Sequence, residues 1–238
     1  MGCMPQTFKR KEVKYLINDE QKQHLLATIA QHLEQDQFGH ATISNIYFDD
    51  PNSRLIRRSI EKPTYKEKLR VRGYNTITPE SQVFIELKKK YKGIVYKRRL
   101  NMSVPDSSAF LQRKVTPQGQ IEKEVRYFLD FYQTLAPAMF LSYERDAYFC
   151  TADPSLRITF DSDIIYRCDH MQLAHPKQGT ALLDEETFIM EIKCADAMPL
   201  WLVQALSANK IYTTSFSKYG TAYMRELEKD QKGRVKIA

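Results

Sequence analysis

Long apolar runs are missing from this chain. No stretch of its 238 residues approaches the roughly 18 uninterrupted apolar residues that a membrane-spanning helix needs. Residues 1–11 carry charges without a preceding apolar run, which argues against a secretory signal. We therefore expect a cytoplasmic protein with no membrane span in this chain.

Cysteine and histidine are too few and too scattered to indicate a zinc site or a disulfide scaffold. The four cysteines occur singly, without a CxxC pair. The five histidines show no HExxH pattern. We expect the thiols to be reduced and most of the imidazoles to be solvated or structural.

The familiar motifs of phosphate and nucleophile sites are also missing. The chain has no GxxxxGK[ST] loop, no GxGxxG after a strand and no GxSxG elbow. A P-loop and a serine nucleophile are therefore not indicated. Any catalysis would rest on positioning and on neutralisation of charge.

The composition is that of an ordinary globular protein with an excess of positive charge. Hydrophobic residues make up 42% of the chain, charged residues make up 27%, and the net charge is +7. We expect one domain over residues 1–238, with a core from about 8 to 227 and a polar tail at 229–238. The charge suits a polyanionic partner without identifying it.

Hydrophobic periodicity predicts about eight strands and five helices. The strands are predicted at residues 8–17, 43–49, 65–74, 82–91, 94–102, 139–150, 156–167 and 187–194. The helices are predicted from an N-cap at Asp19 to about Glu34, and at 105–111, 121–135, 199–206 and 217–227. Because hairpins or helix-containing loops join nearly all the strands, we expect an α+β fold whose eight-stranded antiparallel β-barrel has its helices packed outside.

Charged residues recur at every second position of these strands, and therefore share one face. They are Arg10, Glu12, Lys14, Lys68, Arg70, Arg72, Glu86, Lys88, Lys90, Lys97, Arg99, Arg145, Arg157, Asp161, Glu191 and Lys193. The opposite face is apolar. A barrel with a polar lumen accounts for this pattern, and a flat sheet with its charged face in water is the alternative.

Lysine and arginine far outnumber carboxylates on the charged face. Like charges on neighbouring strands are destabilising unless something neutralises them, and a bound polyanion would do so. The carboxylates have a second use, because Mg²⁺ or Mn²⁺ is usually held by one or two of them together with phosphate oxygens. The candidate metal ligands are Glu12, Glu86, Asp161 and Glu191. Neutralisation of neighbouring cations is the alternative role for each of them.

Eight short segments carry a resemblance to a known family. They are Arg10-x-Glu12-x-Lys14-Tyr15, Ile46-Tyr47-Phe48-Asp49, Lys68-Leu69-Arg70-Val71-Arg72, Phe84-Ile85-Glu86-Leu87-Lys88, Tyr143-Glu144-Arg145-x-Ala147-Tyr148, Arg157-Ile158-Thr159-x-Asp161, Met190-Glu191-Ile192-Lys193 and Ser217-Lys218-Tyr219. In this order the segments resemble the VTC domain, the polyphosphate polymerase domain of the vacuolar transporter chaperone complex. That domain belongs to the triphosphate tunnel metalloenzymes of the CYTH-like superfamily.

The resemblance implies an eight-stranded antiparallel tunnel that transfers phosphoryl groups from ATP to a growing polyphosphate chain. Together with the charged face it assigns catalytic roles to Arg70, Arg72, Arg145, Arg157 and Glu191. Substrate binding is assigned to Arg10, Lys14, Lys68, Lys88, Lys97, Arg99, Lys193 and Lys218. The metal, Mn²⁺ or Mg²⁺, would be held by Glu191, with Glu12, Glu86 and Asp161 as further candidates. Any coupling to translocation would need a separate membrane partner.

Two departures from the family pattern and three rival functions accompany this interpretation. Arg10 stands where broader superfamily members have a glutamate, which is more like the polymerase branch, and Ser215 stands where a eukaryotic polymerase has a second lysine. The same site could use water as acceptor and act as a triphosphatase, or could bind polyphosphate without turnover. Nucleic acid is not expected, because the charged face has few aromatic residues for base stacking.

Overall fold

The computed structural model describes residues 11–92, 94–195 and 197–235. The strands are β1 Lys11–Asn18, β2 Leu33–Asp49, β3 Tyr65–Tyr74, β4 Gln82–Tyr91, β5 Ile94–Ser103, β6 Ala136–Cys150, β7 Arg157–Arg167, β8 Thr180–Ala181, β9 Thr187–Cys194 and β10 Thr213–Thr214. The helices are α1 Asp19–Ile29, α2 Arg54–Ile60, α3 Val104–Leu111, α4 Gln120–Tyr132, α5 Leu200–Ala208 and α6 Lys218–Val235, with a 3₁₀ turn at Ala30–His32. The predicted α+β class is confirmed.

The strands form one large sheet, in the order β10-β1-β9-β7-β6-β2-β3-β4-β5, with β8 paired to β7. The pairings of β1, β3, β4 and β9 are antiparallel, as predicted. The eight long strands correspond to the eight predicted ones. Closure into a barrel needs hydrogen bonds between the two edge strands, and within the described ranges no pairing joins β5 to β10. The prediction of a closed barrel is therefore wrong for the described sheet.

The chain divides into two compact units. Unit one contains residues up to Ala41, Tyr143–Ile164 and Leu183–Phe216, and unit two contains Thr42–Ser142, Ile165–Leu182 and the residues from Ser217 onward. Strands β2, β6 and β7 each contribute residues to both units. None of the helices within the described ranges is long and apolar enough to cross a membrane.

Unit one buries the apolar face of β1, β7 and β9 under α1 and α5. Its core contains Ile17, Leu25, Ile29, Ile158, Phe160, Met190, Ile192, Leu202 and Leu206. Asn18, rather than the predicted Asp19, caps α1: its side chain accepts from the Gln21 N–H, and the Gln21 side chain accepts from the Asn18 N–H. The helix ends at Ile29 instead of Glu34, because the chain from Leu33 onward pairs as β2.

Unit two buries the apolar face of β3 and β4 under α3 and α4. Its core contains Leu69, Val71, Ile85, Leu87, Phe110, Val125, Phe128 and Leu129. The sequence did not predict α2, whose first turn lies against the buried Asp49 carboxylate. That carboxylate accepts from the N–H groups of Leu55 and Ile56 at 2.9 Å each. Helix α6 runs beyond its predicted end, to Val235.

Candidate functional site

A buried carboxylate organises the charged face of unit two. Cross-strand pairing places Glu86 of β4 opposite Arg70 of β3 on one side and Arg99 of β5 on the other. Directly opposed side chains on neighbouring strands share a face. Glu86 therefore lies in the middle of a row of cations, where it is only 2% exposed.

Two guanidinium groups and an ammonium group engage the two oxygens of Glu86. Arg70 donates from Nε at 2.8 Å and from Nη2 at 2.6 Å to Oε2. Arg99 donates from Nε at 2.8 Å and from Nη2 at 2.5 Å to Oε1, and Lys97 Nζ lies 2.6 Å from Oε1. Arg72 is 3.9 Å from Oε2 and donates to Asn45 at 3.0 Å. One negative charge thus faces four positive ones, which leaves this cluster strongly cationic.

The titration of Glu86 and Lys97 reflects that imbalance. Burial alone would raise the pKa of Glu86, but Arg70, Arg72 and Lys97 hold it far below its ordinary range. Burial lowers the pKa of Lys97 to about 8. Arg99 and Arg70 lower it as well, whereas Glu86 raises it. The pKa of Lys97 thus lies well below the ordinary lysine value of 10.5.

Tyr47 belongs to the same cationic cluster. Its hydroxyl accepts from Arg70 Nη1 at 3.0 Å, and its ring stacks on Tyr219 with the ring centroids 4.4 Å apart. Burial would raise the pKa of Tyr47, but Arg70, Lys68 and Arg72 lower it to about 8. The sequence did not assign Tyr47 to the site, although it lies in one of the eight family segments.

Lysines extend the cationic face of unit two along the same strands. Lys68 pairs opposite Lys88, and Lys88 pairs opposite Lys97. Lys68 also donates to the Ser217 hydroxyl at 3.3 Å. Lys218 begins α6 and is half-buried. Since these lysines face one another across strands, the predicted substrate-binding residues of unit two lie on a surface suited to an anion.

A second charged row crosses unit one. Glu191 of β9 lies opposite Lys14 of β1 and opposite Thr159 of β7. Lys193 Nζ is 2.8 Å from Glu191 Oε1, and Lys14 donates to the Phe216 carbonyl at 3.2 Å. Glu12 lies beside this row, with one oxygen 3.8 Å from Lys14 Nζ.

Glu191 is ionised in this setting. Its side chain is buried, which would raise the pKa, but Lys193, Lys14 and Arg145 hold it well below its ordinary range. A buried carboxylate that stays charged can serve as a hard oxygen ligand for Mg²⁺ or Mn²⁺.

The two predicted catalytic arginines of unit one are already held by carboxylates. Arg145 donates from Nε at 2.6 Å and from Nη2 at 2.8 Å to Asp161, which is fully buried. Arg157 forms an ion pair with Asp36. Asp36 precedes the strand predicted at 43–49, so the sequence offered no signal for this pair. Both arginines are therefore positioned before any ligand arrives.

The four predicted metal ligands differ in how many of their carboxylate oxygens already contact Lys or Arg side chains. Glu86 and Asp161 are bridged or chelated by guanidinium groups, whereas Glu12 and Glu191 each have a lysine neighbour. No group of three or more His, Cys, Asp or Glu side chains suited to a metal ion occurs in residues 11–92, 94–195 and 197–235. A site built from one or two carboxylates would depend on phosphate oxygens for its other ligands.

Each unit thus brings together part of the predicted site. In unit two the structure groups Lys68, Arg70, Arg72, Glu86, Lys88, Lys97 and Arg99. In unit one it groups Glu12, Lys14, Glu191 and Lys193, with the pairs of Arg145 and Arg157 on the same sheet. Arg10 lies outside the described residues.

Comparison with known proteins gives the chain a family and a fold. The family model of the VTC domain matches residues 9–226. The vacuolar transporter chaperone complex subunit 4 of Trypanosoma brucei brucei is 23% identical in a match that covers 71% of this chain and 27% of that protein. The chain thus spans about a quarter of the length of that relative.

A solved structure with low sequence identity has the same fold. A Bacillus halodurans protein named as a candidate adenylate cyclase superposes with a TM-score of 0.54 and 14% identity, covering 87% of this chain and 95% of that one. A similarly named Vibrio parahaemolyticus protein has a TM-score of 0.49 and 14% identity, covering 90% and 97% of the two chains. Since the VTC model matches nearly the whole described chain, this chain belongs to the VTC domain family.

Proposed function

We propose that the chain is a metal-dependent phosphotransferase that moves the γ-phosphoryl group of ATP onto the end of a growing polyphosphate chain. The observation that carries the proposal is the excess of cations around buried carboxylates, above all the four cations that face Glu86. Such a face stabilises a polyanion by electrostatic attraction and by charge-assisted hydrogen bonds. Membership of the VTC family supports polyphosphate as that polyanion.

The chemistry requires positioning and charge neutralisation rather than a covalent intermediate. A terminal oxygen of the chain attacks the γ-phosphorus of ATP, the bond to the β–γ bridging oxygen breaks, and ADP leaves with those electrons. The proposed catalytic arginines are Arg70, Arg72, Arg145 and Arg157, because a guanidinium group offsets the negative charge of a phosphoryl group in transfer. The lysines of both units, Lys14, Lys68, Lys88, Lys97, Lys193 and Lys218, together with Arg10 and Arg99, bind phosphate oxygens.

Glu191 is the best candidate to hold the divalent metal, with Glu12 beside it. Both carboxylates lie on the charged face of unit one, and Glu191 is ionised. Mg²⁺ or Mn²⁺ bound there would neutralise charge on the phosphates. We assign Glu86 and Asp161 to the positioning of arginines, because guanidinium groups already occupy their oxygens.

Several finer features remain part of the proposal. They are the cytoplasmic location and a separate membrane partner for any coupling to translocation. The Trypanosoma relative is by its name a subunit of a complex, and it is much longer than the match. Partners of this chain can therefore be sought by co-purification from its native source.

The proposal is tested by incubating the purified protein with ATP and Mn²⁺, with and without a short polyphosphate primer. Gel electrophoresis then separates long chains from orthophosphate. We expect long chains together with one ADP for each phosphoryl group added. Orthophosphate alone would instead identify a triphosphatase, and no turnover despite tight binding would identify a polyphosphate-binding module.

A Glu191→Gln variant tests the metal role in the same assay. Because the amide is a poor metal ligand but similar in shape, we expect turnover to be lost while polyphosphate binding largely persists. Glu186→Gln is the matched control, because it makes the same change of charge at an exposed position just before β9. Retained turnover of Glu191→Gln in excess Mn²⁺ would refute the metal role.

A further inference from the structure

The side chain of Thr159 has a polar atom that its surroundings leave without a partner. Thr159 is 7% exposed, and its Oγ1 is buried with no hydrogen-bond partner within the described part of the chain. An unpaired buried hydroxyl is unfavourable, and native proteins contain few of them. The position therefore needs a specific explanation.

Thr159 lies in the charged row of unit one. It is directly opposite Glu191, which is in turn opposite Lys14, so the three side chains share one face of the sheet. Its neighbours along β7, Ile158 and Phe160, point to the opposite face and are buried in the core of unit one. The hydroxyl is thus placed among the charges rather than in the apolar core.

Three cations around this row would draw an anion toward Thr159. Lys193 Nζ lies 2.8 Å from Glu191 Oε1, and Lys14 is paired opposite Glu191. Arg145 is held by Asp161, which lies two residues along β7 from Thr159. Arg157 and Lys193 also lie opposite one another, two residues along their strands from Thr159 and Glu191. Their long side chains can shift at the ends, which would expose the hydroxyl to a ligand without movement of the backbone.

We propose that Thr159 is a phosphate-binding residue, whose hydroxyl donates a hydrogen bond to a phosphoryl oxygen of the substrate chain. This inference rests on the proposed function, because it takes a phosphate chain as the ligand. Phosphate oxygens accept hydrogen bonds, and a threonine hydroxyl supplies one donor. This hydrogen bond would fix the orientation of the phosphoryl group, whereas the lysines attract it as point charges.

The test compares Thr159→Val, which replaces the hydroxyl by a methyl group, with Thr159→Ser, which retains it. Tripolyphosphate is the probe, in buffer with a chelator so that no metal takes part. Calorimetry gives the affinity, and thermal unfolding without ligand gives the stability. For Thr159→Val we expect about tenfold weaker binding, as for a lost hydrogen bond to a charged group, together with an equal or higher melting temperature. Thr159→Ser should bind like the wild type.

The outcomes separate this inference from the proposed function. Equal affinity of wild type and Thr159→Val would overturn the inference alone. A lower melting temperature of Thr159→Val with unchanged affinity would also overturn it, since the hydroxyl would then have a structural partner such as a bound water. No binding of tripolyphosphate by the wild type would overturn the proposed function and the inference together.

Discussion

At the residue scale, Glu86 holds together the cations of unit two. Its carboxylate is 2% exposed and is shared by Arg70, Arg99 and Lys97. Removal of one partner from a buried ionic cluster is costly because the remaining charges lose their compensation. The sequence places these residues on one face, but only the strand register brings their charged ends together.

Replacement of Glu86 by glutamine should therefore destabilise the protein and favour anion binding. We expect the free energy of unfolding to fall by about 3 kcal/mol, measured by urea denaturation. Tripolyphosphate should raise the melting temperature of Glu86→Gln more than that of the wild type, because the cations lack their internal counter-charge. Glu80→Gln, at an exposed position, is the control. Wild-type stability of Glu86→Gln would contradict this account.

The pKa values of Lys97 and Tyr47, both about 8, predict a dependence of anion binding on pH. As pH rises through 8, Lys97 loses its positive charge and Tyr47 acquires a negative one. We expect the affinity for tripolyphosphate to fall across this range, as measured by calorimetry from pH 7 to 9. In the double variant Lys97→Arg with Tyr47→Phe the affinity should stay nearly constant.

Stability should change in the opposite direction. The ordinary pKa values are 10.5 for lysine and 10.0 for tyrosine, so between pH 8 and 10 the unfolded chain binds more protons at these two groups than the folded chain does. Their contribution to stability therefore rises with pH in that window.

For anion binding, an affinity that is constant from pH 7 to 9 in the wild type would contradict the pKa values of about 8 for Lys97 and Tyr47.

At the element scale, the first helix is secured by a reciprocal cap. The Asn18 side chain accepts from the Gln21 N–H at 2.8 Å, and the Gln21 side chain accepts from the Asn18 N–H at 3.2 Å. The helix packs Leu25 and Ile29 into the core of unit one, on the face opposite the charged row. The cap therefore supports the packing of the strands that carry Lys14 and Glu191.

Asn18→Ala should lower the free energy of unfolding by about 1 kcal/mol, because it removes the capping acceptor. Asn18→Asp keeps an acceptor oxygen and should remain close to the wild type. Chemical denaturation measures both. Phosphate affinity of the folded protein should not change, since Asn18 is not on the charged row. Equal destabilisation by both substitutions would show that the side-chain cap is not the stabilising feature.

The elements show where sequence patterns suffice and where they fail. Helix α4 was predicted because Val125, Phe128 and Leu129 repeat on one face, and they are buried as expected. Helix α2 was missed because it is short and its first turn is stabilised by Asp49, a residue of the preceding strand. The first two residues of β2, Leu33 and Glu34, were predicted as the end of a helix, but they belong to the strand, since tertiary context overrides local preference.

At the scale of the whole molecule, the net charge of +7 predicts binding that depends on salt. The Debye length falls from about 10 Å at 0.1 M salt to about 3 Å at 1 M, so the attraction between the cations and a phosphate chain weakens. We expect the affinity for tripolyphosphate to fall by at least about tenfold over that range, as measured by calorimetry. An affinity independent of salt would contradict an electrostatic site.

A single domain over residues 1–238 stays a prediction.

The sequence by itself determined the alternation of charged and apolar residues, and hence the strands, their two faces and the family. That pattern is local, since side chains alternate along any strand regardless of its partners. Tertiary structure alone decided which charges meet: Glu86 with Arg70 and Arg99, Arg157 with Asp36, and Thr159 opposite Glu191. It also decided that the described sheet stays open between β5 and β10. These outcomes depend on strand register and on contacts between residues far apart in sequence, which no local pattern encodes.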